Sequence, residues 1–168
     1  MHRFRYGGLN TKGIYVDEDV KRMAYYHQLI MGVLIDSLLQ QGDVKRALAV
    51  CKKWQQEMPQ ENVPYTDAAL SMARCFYQAQ QSHISPTQGS VDSYLGQGDE
   101  IVSNLLRRSD EWLSWIETIS PARRKGSLFS CHTWLQTMQQ ALTVAQEFER
   151  NEMLNQYIRQ YERYIQNN

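Results

Sequence analysis

The chain has 168 residues, 18 basic and 18 acidic side chains, a formal charge of zero and 42% hydrophobic residues. A chain of this length buries roughly 70% of the surface its unfolded form exposes, so one ordinary core is expected without a disulfide framework or structural metal. Scattered and balanced Lys and Arg exclude an electrostatic nucleic-acid binder, which carries its basic side chains on one face. No apolar run reaches the roughly 18 residues of a membrane span, and the start, Met1 to Gly8, lacks the apolar stretch of a signal peptide.

The predicted elements are helical from residue 17 onward, which makes the fold class all-α. Met23, Leu29 or Ile30, Val33, Leu34 and Leu38 recur at helical spacing and predict the buried stripe of a first helix. Asp17 or Asp19 caps it, the acidic trio Asp17, Glu18 and Asp19 suits the positive end of the helix dipole, and Gln41-Gly42 ends it. Asp43 caps a second helix with Val44, Ala47, Leu48, Cys51 and Trp54 inward, stopping before Pro59. Pro64 fits the first turn of a third helix, whose apolar face is Ala69, Met72, Ala73, Phe76 and Tyr77. Residues 82–95 read as loop, and Gly98-Asp99 opens a fourth helix with Ile101, Val102, Leu105, Leu106, Trp112, Leu113, Ile116 and Ile119 inward. A fifth follows the basic turn 121–126, with Leu128, Trp134 or Leu135, Met138, Leu142 and Ala145 inward. A sixth starts near Asn151 and carries Leu154, Tyr157, Ile158, Tyr161 and Ile165.

Gln41-Gly42-Asp43 recurs as Gln97-Gly98-Asp99, 56 positions later and again between two predicted helices. From Gly42, the small residue, bulky residue, aromatic and closing Pro of a tetratricopeptide repeat, which runs about 34 residues, fall on Ala47, Cys51, Trp54 and Pro59. About six helices are therefore expected to pair as antiparallel hairpins stacked in a tetratricopeptide-like, right-handed solenoid. Residues 1–16 form an extended lead-in, and the helical domain 17–168 carries an inserted loop near 82–97. In such a stack Asp36, Gln40, Asp67, Arg74 and Tyr77 project into a concave groove able to hold an extended peptide or a neighbouring domain.

The search for chemistry yields no catalytic, cofactor or metal constellation. His2, His27, His83 and His132 are far apart, and adjacent Cys131 and His132 point about 100° apart on a helix, so they do not share a ligand. No nucleophile elbow occurs, and Gly96-Gln97-Gly98 lacks the strand before and the Lys-Ser or Lys-Thr after that a phosphate cradle needs. Cys51, Cys75 and Cys131 fall on apolar faces and are read as free thiols. Trp54, Trp112 and Trp134 sit in apolar stripes and are read as core, leaving Trp115 as the exposed indole. A sugar-binding module built on Trp115 and nearby Tyr residues is the weakest of three functional readings.

The lead-in is distinctive: Arg3-Phe4-Arg5-Tyr6-Gly7-Gly8-Leu9-Asn10, then Ile14-Tyr15-Val16-Asp17-Glu18 and Arg22-Met23. It resembles the soluble carboxyl-terminal region of the Bacteroidota multi-spanning membrane proteins similar to protein O-mannosyltransferases, a domain-of-unknown-function family, and the likeness runs on through Gly42 to Pro59 and Val63-Pro64, and more loosely through Glu111 to Trp115. The resemblance implies a non-catalytic interaction domain of a membrane glycosyltransferase, on the periplasmic side of the inner membrane, contacting acceptor protein or the membrane domain. The catalytic carboxylate of such proteins lies in a membrane region absent from this sequence. Within the family motif, Arg5, Tyr6, Gly7, Gly8, Asp17 and Glu18 are given a structural part, with Arg3 and Arg5 clamping the lead-in onto Asp17 and Glu18. The competing reading is a free-standing cytoplasmic adaptor that binds peptides.

Overall fold

The computed structural model describes residues 7–84 and 93–167. These residues are helical throughout their regular structure, with no strand among them: α1 (Glu18–Gln40), α2 (Val44–Glu57), α3 (Ala69–Gln81), α4 (Tyr94–Thr118), the single turn α5 (Pro121–Arg124) with a 3-10 turn Lys125–Ser127, α6 (Leu128–Glu147) and α7 (Asn151–Asn167). The chain divides into two compact units, Met1–Gly98 and Asp99–Asn168.

In the first unit α1 and α2 form a hairpin through a turn of three residues, and α3 packs on both. That packing is compatible with a helical-repeat solenoid, in which each new helix closes over the hairpin before it. Asp17 caps α1, accepting from the amides of Asp19 and Val20 at 2.9 Å each. Asp43 caps α2 through the Arg46 amide at 3.0 Å and binds the Arg46 guanidinium as well. Those two hydrogen bonds, the amide first, hold the Asp43 carboxyl below the usual carboxylate range. Helix α1 ends in a left-handed residue, Gly42 at φ 73°, with the Asp43 amide reaching back to the Leu38 carbonyl at 2.9 Å. The same closure ends α3 at His83 and α6 at Glu149, where non-glycine residues adopt φ 52° and 56°.

Ala47, Cys51 and Trp54 of α2 are fully buried, as their spacing predicts, and so are Ala69, Met72 and Ala73 of α3. Burial and a hydrogen bond with Cys75 push the Cys51 thiol well above its ordinary range. The face of α1 differs from expectation. Met23, Leu29, Ile30 and Val33 are exposed, while Ala24, Gln28, Met31, Gly32 and Ile35 are buried together with Leu38, the one residue of the expected stripe that is fully inward. The helix is apolar on two sides, and the side selected by packing is the one with a glycine and a hydrogen-bonding glutamine. Gly32 lets α1 approach closely, since a Cβ there would stand 2.9 Å from the Ala68 carbonyl oxygen.

Gln28 is the polar centre of this unit and is wholly enclosed. Its Oε1 accepts from the Thr66 amide and the Thr66 hydroxyl, each at 3.0 Å, and its Nε2 donates to the carbonyls of Pro64 at 3.3 Å and Val63 at 3.5 Å. The backbone groups of 63–66 are thereby used by a side chain, and α3 starts at Ala69 rather than at Pro64.

The lead-in is fastened by a residue that no local sequence pattern singles out. Asn62 Nδ2 donates to the carbonyls of Leu9 at 2.7 Å and Thr11 at 2.9 Å, while Leu9 and Val16 bury their side chains. Glu18 pairs with Lys21 at 2.7 Å. The expected clamp by Arg3 and Arg5 lies outside the described residues.

Helix α4 begins at Tyr94, so Gly98 lies inside a helix instead of in a turn, and its backbone does not take a positive φ. The two Gln-Gly-Asp segments are thus not structural equivalents. A Cβ on Gly98 would stand 2.6 Å from Cε1 of Tyr77, which explains why this position lacks a side chain. The expected loop therefore ends earlier, and its centre, 85–92, lies outside the described residues.

In the second unit α6 and α7 form a hairpin, and Asp99 is not a helix cap. It takes a bidentate ion pair from Arg150, Nε to Oδ1 at 2.8 Å and Nη2 to Oδ2 at 2.6 Å. On α7 Tyr157, as expected, and Tyr164 are buried, while Ile158 and Ile165, expected inward, are exposed. The Tyr164 hydroxyl donates to Asp110 Oδ1 at 2.7 Å and lies 2.6 Å from the Ser114 hydroxyl. Leu128, expected inward, is exposed at the start of α6.

Burial raises the Tyr164 phenol above its ordinary 10.0, and burial acts in the same direction on Tyr157 and Tyr161. A raised folded-state value means that the folded form keeps its proton longer than the unfolded chain. The stability these groups contribute is complete below about pH 10 and is lost as pH rises through the folded values. Thermal unfolding followed from about pH 8 to about pH 11 is expected to show a falling midpoint on the alkaline side. Tyr164→Phe should flatten part of that fall, while losing about 1–2 kcal/mol at neutral pH from its hydrogen bonds. An unchanged alkaline slope in this variant would contradict the burial of the phenol.

Candidate functional site

The five polar positions expected in one groove do not share one environment. Asp36 is half-buried and accepts from the Ser71 hydroxyl at 2.8 Å, tying α1 to α3. Gln40 is exposed at the end of α1. Asp67 is exposed and turns its carboxylate back onto the Ala68 amide at 3.0 Å. Arg74 is half-buried, and Tyr77 is 1% exposed, packed where Gly98 leaves room. Tyr77 is therefore a core residue and presents nothing to a ligand. In the lead-in, Gly7 and Gly8 adopt φ 59° and 81°, which only glycine takes without strain, and Asp17 is spent on the α1 cap. Arg5 and Tyr6 lie outside the described residues.

Two other surfaces stand out. The first is the outer face of α1, directly opposite its buried side. Met23 (60% exposed), Tyr26 (60%), Ile30 (63%) and Val33 (59%) follow one another at spacings of three and four, with Val20 and Leu29 alongside. Beside it a shallow cavity of about 250 Å³ opens between Tyr25, Tyr26 and Leu29 of α1 and the Thr66-Asp67 turn. Asp67 is the one expected groove residue that borders this surface. The sequence carries part of the signal for this face, since Met23, Leu29, Ile30 and Val33 belong to the periodic stripe assigned to the core. What it lacks is the knowledge that a second, flatter stripe with Ala24, Gln28 and Gly32 packs better.

The second surface is an aromatic cleft in the other unit. Trp112 and Trp134 face each other at 6.1 Å between ring centroids with planes 23° apart, and Trp115 stands edge-on to Trp112 at 5.2 Å. Arg108 and Glu111 complete an opening of about 380 Å³. The Arg108 guanidinium carbon sits 5.4 Å from the Trp134 centroid, and Glu111 Oε1 accepts from Arg107 at 2.6 Å. Trp115 is 52% exposed, and Trp112 and Trp134 are half-buried rather than core, so Trp54 is the indole that is fully enclosed. Trp112 and Trp134 deviate from the expectation because an apolar stripe on a helix is wider than the contact it makes.

Among the described residues no three His, Cys, Asp or Glu side chains converge as a metal site, and no helix is long and apolar enough to cross a membrane. Comparison with protein-family models, with curated proteins and with solved structures returned no match.

Proposed function

We propose that this chain is a non-catalytic, tetratricopeptide-like interaction domain of a membrane protein glycosyltransferase similar to protein O-mannosyltransferases, and that it docks through the outer face of α1. The bond-making chemistry then lies in the membrane region of the parent, and the domain sits on the periplasmic side of the inner membrane. Its partner is the membrane domain or the acceptor polypeptide. The observation that carries this reading is the apolar face Met23-Tyr26-Ile30-Val33 left open by the fold.

Water-exposed apolar area of this kind stabilises association when it is covered, by about 25 cal/mol for each Å² buried. Isolated domains rarely expose contiguous apolar patches beyond a few hundred Å², and a standard interface covers about 800 Å² on each partner. A run of large side chains at three-and-four spacing is also the form in which one helix meets a groove or another helix. The lead-in motif supplies the link to the glycosyltransferase family.

A photo-crosslinking amino acid placed at position 30 of the full-length parent tests this. Adducts to the membrane domain or to an acceptor polypeptide are expected, and Met23→Asp with Val33→Asp should abolish them while leaving the melting temperature nearly unchanged, because exposed substitutions shift stability by only about 0.5 kcal/mol. Adducts only to a separate soluble protein would point to the free-standing adaptor instead, and no adduct at all would remove the docking face.

A further inference from the structure

Three of the four tryptophans gather in one open cleft together with one cation and one anion, and the α1 face has no part in it. We propose that this cleft binds a neutral carbohydrate, with a pyranose ring laid against Trp115 and Trp112 and its hydroxyls held by Arg108 and Glu111. This is independent of the docking reading.

The geometry favours that ligand over its competitors. An opening of about 380 Å³ suits one or two sugar rings and is too small for a folded partner. Indole faces are electron-rich, and the C–H groups on one side of a pyranose are slightly positive, so the two stack in water with both apolar burial and electrostatic gain. Trp115 at 52% exposure is open enough to receive such a ring, while its edge-on packing on Trp112 fixes its orientation. A cationic ligand meets a place already taken: the Arg108 guanidinium lies over Trp134 and repels a second positive charge.

A proline-rich peptide is the remaining aromatic-groove ligand, and Glu111 argues against it. Such a peptide offers carbonyl acceptors and few N–H donors. A carboxylate has roughly four acceptor positions, of which Arg107 occupies one here, and it needs donors. Vicinal sugar hydroxyls both donate and accept, so they satisfy a carboxylate and a guanidinium together. The three-residue spacing of Trp112 and Trp115 on α4, with Glu111 one position earlier, places ring and carboxylate at one rim.

The test is titration of the whole chain with mannose, glucose, cellobiose and maltose, following tryptophan emission and indole N–H resonances. Saturable binding in the millimolar range is expected for at least one of them, with shifts confined to three of the four indoles and Trp54 silent. Trp115→Ala and Glu111→Gln should each weaken it about tenfold with the melting temperature held. Met23→Asp with Val33→Asp should leave the sugar response intact, which separates this inference from the docking face. No response to any of the four sugars, binding untouched by Trp115→Ala, or tighter binding of a proline-rich peptide at the same indoles would overturn it.

Discussion

Gln28→Leu is expected to lower stability by about 3 kcal/mol, although it replaces a polar side chain with an apolar one of similar size inside a core. The change strips partners from the Thr66 amide and hydroxyl and from the carbonyls of Pro64 and Val63, all held by one side chain. Each buried group left without a partner costs about 1–3 kcal/mol, and the extra apolar burial of leucine returns part of that sum. For a chain of this size about 3 kcal/mol corresponds to roughly 10 °C in melting temperature, readable by calorimetry or circular dichroism. Ile30→Gln, two residues on and in the expected core stripe, should cost no more than about 0.5 kcal/mol. A reversal, with Ile30→Gln severe and Gln28→Leu mild, would mean that α1 packs through its other face.

Gly98→Ala should also destabilise, by about 1–3 kcal/mol, against the general preference of helices for alanine. The added methyl would stand 2.6, 2.9 and 3.0 Å from three carbons of the Tyr77 ring, a side chain that is itself buried. Gly42→Ala meets open space and suffers only from its φ of 73°, at about 1 kcal/mol. The two defects separate in a double-mutant cycle. Tyr77→Leu makes room and should recover much of the Gly98→Ala loss, while it leaves the Gly42→Ala loss unchanged. Additivity of Tyr77→Leu with Gly98→Ala would show that glycine at 98 is not there to admit the ring.

These two residues also mark how far the sequence could be read. Helix existence, the Asp17 and Asp43 caps and the inward face of α2 follow from local chemistry, because capping and periodicity are set within a few residues. The α1 face does not, since both of its sides are apolar and the choice between them is made by α3 and by Thr66, some forty residues away. Gln-Gly-Asp at 97 has the same letters as at 41 and lies in a different backbone, because Tyr77 decides what position 98 tolerates. The tryptophan cleft is half legible: the apolar stripes leave Trp115 outside, but the approach of Trp134 from α6 is a tertiary fact. Tyr164 rather than the much more apolar Ile165 is buried on α7, and its phenol finds hydrogen-bond partners there in Asp110 and Ser114, which lie some fifty residues away.

Asn62 carries a consequence for how the first unit breathes. The carbonyls it holds are 53 and 51 residues away in sequence, so the lead-in is tied to the crossing between α2 and α3 as well as to its covalent neighbour α1. Opening of the crossing at Asn62 releases the lead-in, and the amide protons of the two stretches are expected to exchange with solvent in step, as one cooperative subunit of stability.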